Sequence, residues 1–130
     1  MGAWGVSTFE SDAALDFVLD IVETNDLSLI ESTIREVIAY DDELDADLAE
    51  QGLVAGEIIA ALHGNSSDLP PELQDWIKSK ESNSPELRHL AHKATKKVLD
   101  DSELRELWEE SDEFDDWQGS VRDLLSRLSA

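Results

Sequence analysis

The residues of this chain most able to do chemistry are carboxylates, and their densest run is Asp41-Asp42-Glu43-Leu44-Asp45-Ala46-Asp47. Read as a calcium loop beginning at Asp41, the run supplies acids at the first, third and fifth positions. Such a loop also needs glycine at the sixth position and a bidentate glutamate at the twelfth. Ala46 and Gly52 stand there, so the calcium pattern fails twice. His89-x-x-His92 puts two imidazoles on adjacent turns of one helix, but zinc needs at least a third protein ligand. Ser66 and Ser67 follow His63 closely, yet His63-Gly64-Asn65-Ser66-Ser67 reads as a helix terminator. The chain has no nucleophile elbow, phosphate-binding glycine loop or dinucleotide fingerprint. With 31 acids in 130 residues, a carboxylate pair spaced for acid–base work arises by chance. The absence of cysteine removes thiolate metal sites, thiol nucleophiles and disulfides from consideration. No cofactor is implied.

The aromatic residues allow two readings. Trp108 and Trp117 flank the acidic block Glu109 to Asp116, with Phe114 between them. Their rings either fill the core or, beside Asp115 and Asp116, make an aromatic–acidic patch. Such a patch offers a basic ligand both Coulomb attraction and cation–π contact. The candidate contacts for a basic protein surface are therefore Asp41, Asp42, Glu43, Asp45 and Asp47 in one group, and Phe114, Asp115, Asp116 and Trp117 in the other.

Net charge supports a partner of that sign. The chain carries a formal charge of −21, unevenly spread. Residues 1–77 hold 18 acids against the single base Arg35, whereas residues 78–130 hold 13 acids and nine bases. Direct nucleic-acid binding is not expected, because phosphate contacts require lysine and arginine. The alternative to a basic partner is that the acidity serves solubility alone. No apolar run approaches the roughly 20 residues of a membrane helix. The first residues lack the basic, apolar, small-residue order of a secretory signal. The expected location is the cytoplasm.

These groups must be positioned by helices, because apolar residues recur at helical spacing almost throughout. Ala14, Phe17, Val18, Ile21 and Val22 form one stripe; Ile30, Ile34, Val37 and Ile38 form another, entered through Asp26 or a Ser28-x-x-Glu31 capping box. A third helix is expected from about Asp45 to Leu62, stopped at Gly64 as a left-handed cap. Its Gly52-x-x-x-Gly56 spacing reads as close helix packing. Leu69-Pro70-Pro71-Glu72 opens a short helix through Trp76 and Ile77. Ser84-Pro85-Glu86 is the strongest helix start, a serine cap followed by proline at the first helical position. That helix turns Leu87, Leu90, Ala91, Ala94 and Val98 inward, with Lys93, Lys96 and Lys97 near its end. Asp100-Asp101-Ser102 breaks or caps the chain before Leu104, Leu107 and Trp108, and Val121, Leu124, Leu125 and Leu128 mark a last helix. The expectation is an all-α fold, an irregular bundle of six or seven short helices forming a single domain over residues 1–130.

Residues 1–11 are expected to form an N-terminal arm packed on the bundle, because Gly2-Ala3-Trp4-Gly5 and Phe9 are unusual in a free tail. The pattern Met1-Gly2-Ala3-Trp4-Gly5-x-x-x-Phe9-x-x-Asp12-x-Ala14 resembles the start of a bacterial family, DUF4259, a domain of unknown function. Val54 to Leu62, Leu69-Pro70 to Trp76, and Ser102-Glu103-Leu104-Arg105-Glu106-Leu107-Trp108-Glu109 followed by Trp117 fit it as well. Ser7-Thr8 and Ser11 depart from the common residues, which bears on the turn there rather than on the fold. The resemblance implies a bacterial, cytosolic, single-domain protein and brings no activity or catalytic residues with it. The functional expectation is a non-enzymatic acidic binding module for a basic protein, of immunity or antitoxin type. The alternatives are a nucleic-acid mimic that occupies a DNA-binding protein, and an enzyme using buried carboxylates.

Overall fold

A computed structural model describes residues 12–24, 26–64, 69, 71–80 and 84–129. Seven helices run through them: α1 (Asp12–Val22), α2 (Ser28–Ala39), α3 (Ala46–Leu62), α4 (Pro71–Lys78), α5 (Pro85–Asp100), α6 (Glu103–Glu109) and α7 (Phe114–Ser129). The described residues form no strand; a single parallel bridge pairs Leu44 with Ser102. The all-α bundle expected from the stripes is the fold observed. The Trp4 and Phe9 placements and the arm formed by residues 1–11 lie outside the described residues.

α3 is the axis of the bundle and packs on each of the other six helices. Its buried residues run around the whole helix, from Leu48 and Ala49 through Gly52–Gly56 to Ile58, Ile59 and Ala60. A helix apolar on every side must be enclosed by neighbours, and small residues let those neighbours approach. A methyl group on Gly52 would meet Val37 Cγ2 of α2 at 3.1 Å. On Gly56 it would meet Thr95 Oγ1 of α5 at 2.8 Å and Leu124 Cδ2 of α7 at 3.2 Å. The two glycines are therefore packing positions, as their spacing suggests. α1 contributes Ala14, Phe17, Val18 and Ile21 to the core, α2 adds Ile30, Ile34 and Val37, and α5 and α7 supply their expected inward residues. Leu90 and Leu125 are only half-buried.

Local chemistry sets the helix ends. Asp45 Oδ1 accepts from Leu48 N at 2.7 Å to cap α3, and Gly64 closes that helix with φ +86°. Ser84 Oγ accepts from Leu87 N, and Ser102 Oγ accepts from Arg105 N while donating to Val98 O at 2.7 Å. The capping box at Ser28 does not form. Ser28 is the first helical residue, and its N–H and hydroxyl both donate to Asp26 Oδ1, at 3.0 and 2.7 Å. Glu31 turns instead to Arg35 at 2.9 Å. Lys97 does not serve the end of its own helix. Its Nζ donates to the carbonyls of Val37, Ile38 and Tyr40 and so closes the C-terminus of α2. Glu57 is the one buried acid among the described residues, 4% exposed, and Arg127 grips it bidentately at 2.8 and 3.0 Å. Asp123 holds the same guanidinium at 2.9 Å.

Gly56→Ala is expected to destabilise the fold by about 1–3 kcal/mol through overpacking, despite the better helix propensity of alanine. Gly119, also helical but with open space where a methyl would go, should gain about 0.5–1 kcal/mol on the same change. Urea unfolding of the two variants checks both signs. A Gly56→Ala protein as stable as the parent would mean that the α3–α5–α7 contact is looser than described.

Candidate functional site

The acidic run forms the linker between α2 and α3, and the structure divides its residues between scaffold and surface. Leu44 is fully buried, and its carbonyl accepts from Glu103 N at 2.7 Å. Ala46 N donates back to Glu103 Oε1 at 3.1 Å. Together with the Leu44–Ser102 bridge, these bonds fasten the linker to the junction of α5 and α6. Asp45, exposed as a residue, has its carboxylate committed to capping α3. Asp41, Asp42, Glu43 and Asp47 are exposed, and among the described residues none of them forms an ion pair.

The clamp brings further carboxylates to the linker. Glu43 shares a hydrogen bond with Glu106, and this contact is the main reason its carboxyl is pushed up to about 7 from an ordinary 4.5. Desolvation and then the charges of Glu106, Asp101 and Glu103 act in the same direction. With the Glu106 carboxyl beside it, ionising Glu43 is costly, so Glu43 keeps its proton to higher pH than an isolated glutamate. The neighbouring cations are used elsewhere. Lys96 pairs with Asp100 at 2.6 Å, Lys97 is turned to the end of α2, and Arg105 donates to Leu99 O at 2.9 Å while lying over the Phe114 ring.

The second candidate group is only partly a surface. Trp117 is 2% exposed, so the exposed aromatic patch expected around it is corrected: its indole is part of the core. Trp108 stacks on it with ring centroids 6.4 Å apart and planes at 11°, and Phe114 tilts against it at 6.1 Å. Trp108 and Phe114 are half-buried, while Asp115 and Asp116 are exposed in the first turn of α7, where the helix dipole favours negative charge. α6 ties the two groups together in the fold. Its N-terminus receives the linker, and its C-terminal turn carries Trp108. Asp101, Glu103 and Glu106 are the site residues that sequence reasoning missed. Only the Ser102 cap signal marked that region, and nothing local revealed that residues 44 and 102 would meet.

His89 and His92 lie on α5, as their spacing implies, and line an open pocket with Pro85, Arg88, Leu128 and Ser129. Among the described residues no group of three or more His, Asp or Glu side chains is arranged to hold a metal ion. His63 sits at the end of α3 with Nδ1 on Ile59 O at 3.0 Å. No helix of the described residues is long and apolar enough to cross a membrane.

A profile of the domain-of-unknown-function family DUF4259 matches residues 2–120, and the chain belongs to that family. Neither a curated protein nor a solved structure was found to match it.

The Glu43–Glu106 pair makes stability depend on pH with a definite sign. Folded Glu43 keeps a proton that an unfolded glutamate releases above about 4.5, so the stabilisation is full at low pH and is lost as pH rises through about 7. Between about pH 5.5 and about pH 8 the parent Tm should fall more steeply than that of Glu106→Gln, and the variant should be the more stable at the upper end. Parallel Tm profiles would show that the two carboxyls titrate independently.

Proposed function

We propose that this member of the DUF4259 family is a non-catalytic acidic binding module of the bacterial cytoplasm that engages a basic surface on a partner protein. An immunity-type or antitoxin-type role fits that description. The observation that carries the reading is the clamped linker. Asp41, Asp42, Glu43 and Asp47 are held out on a fixed backbone, beside Asp101 and Glu106, with no cation paired to the four linker acids among the described residues. A fold spending its charge on solubility alone gains nothing by crowding Glu106 against Glu43. Such crowding is relieved when lysine or arginine side chains of a partner arrive.

A rigid, uncompensated anionic face speeds encounter with a cationic one and penalises like-charged surfaces. Phe114, half-buried and next to Asp115 and Asp116, adds an aromatic edge at the far end of α6. Arg105 already lies over its ring, a cation–π contact of the kind that a partner's arginine would make.

The test is affinity capture with the folded chain at low and high salt, followed by kinetics on the recovered partner. Recovered proteins should be basic, and association should slow about tenfold or more as salt rises or when Asp41→Asn, Asp42→Asn, Glu43→Gln and Asp47→Asn are combined. Asp45→Asn should slow it less, because that carboxylate is committed to capping α3 and asparagine keeps the cap. Partners that are not basic, or a complex indifferent to salt, would sink the proposal.

A further inference from the structure

α1 is apolar beyond the face that it buries. Ala14, Phe17, Val18 and Ile21 turn into the core, where α1 packs on α3 and α4. Leu15 and Leu19, one turn apart on the same helix, are 39% and 52% exposed, and half-buried Val22 continues their line at i, i+4, i+7 spacing. Leu107 is the one other large apolar side chain so exposed among the described residues. Single exposed leucines are ordinary on a protein surface, but two aligned on one helix make a stripe. At about 3.6 residues per turn, Glu23 and Asp16 border the stripe on its solvent side, with Asp20 beyond them. All three acids are exposed, and none forms an ion pair among the described residues. Arg35, the only base in residues 1–77, is held by Glu31 on its own helix, and Lys80 lies over the Trp76 ring at 5.0 Å.

Such a face selects its occupant by exclusion. A second copy of this chain would bring the same acids against these and be repelled, and nucleic-acid phosphates or anionic lipid headgroups would be repelled likewise. A purely polar cationic surface would satisfy the acids and leave the leucines wet. What matches both is a protein segment with apolar side chains along one line and lysine or arginine beside them. The stripe runs for about 10 Å along a helix, and its ridge takes the side chains of a second helix laid against it. We propose that the outer face of α1 seats a cationic amphipathic helix of a partner protein. Leu15, Leu19 and Val22 lie against its apolar side chains, and Asp16, Asp20 and Glu23 take its lysines or arginines. Burial of the leucines holds the complex, while the acids steer and orient it. This surface uses α1 alone and does not depend on the function proposed for the acidic linker.

The experiment is a leucine-methyl NMR titration of the full chain with an amphipathic helical peptide of leucine and lysine. Two control peptides keep its pattern, one with glutamate for lysine and one with glutamine for leucine. The Leu15 and Leu19 methyl signals should shift and saturate with the leucine–lysine peptide, at lower concentration than those of Leu107, which follows Glu106 on α6. Leu15→Ser combined with Leu19→Ser should weaken binding about tenfold or more, the scale of two leucines left unburied. Both side chains are exposed, so circular dichroism should show the fold intact; if it does not, Leu19→Ser alone should weaken binding severalfold. Either control peptide binding as tightly, shifts gathered at Leu107 instead, or unchanged affinity in a folded variant would overturn the proposal. A stripe already covered, by a second copy or by residues 1–11, would give no saturable shift and overturn it equally.

Discussion

Everything in this bundle depends on enclosing α3. Every residue of α3 from Gly52 to Ala60 is buried, so that stretch has no solvent face and its neighbours must cover it on all sides. Gly52 and Gly56 set how closely they come. Burying the helix also buries Glu57, and a lone carboxylate there would carry a large desolvation cost. Arg127 offsets that cost with a two-point grip from α7. The ion pair thus fixes α7 against α3 at a chosen register, in addition to the apolar contacts around it.

The enclosure has an electrostatic consequence. Ten cations face 31 acids, and several of the ten are taken inward or sideways by the scaffold. Arg127 neutralises Glu57, Lys97 closes α2 by satisfying three carbonyls, and Arg105 holds Leu99 O. Cations consumed by the interior cannot balance the surface. The concentration of uncompensated carboxylates at the linker therefore follows from how the core is closed as much as from composition.

Much of the scaffold was legible in the sequence because its causes are local. Ser84-Pro85, Asp45, Ser102 and Gly64 act on residues within four positions of themselves, and the stripes of α1, α2, α5 and α7 repeat within single helices. The Ser28 capping box misled because Asp26, two residues earlier, offers a competing acceptor to the same N–H. Trp117 misled for a different reason. Its acidic neighbours suggested surface, but helical periodicity turns Asp115 and Asp116 outward while the indole turns in. The Glu43–Glu106 contact was out of reach, since it depends on a meeting between segments far apart in the chain.

That meeting gives the acidic face a history. The bond from Ala46 N to Glu103 joins positions 57 apart, and closing so long a loop costs chain entropy that only later contacts return. α5 and α6, joined within a few residues through Ser102, can form without it. A chain emerging from synthesis carries all the linker carboxylates before Glu103 exists for them to rest on. The fixed negative surface is thus a joint product of two distant segments, and neither displays it alone.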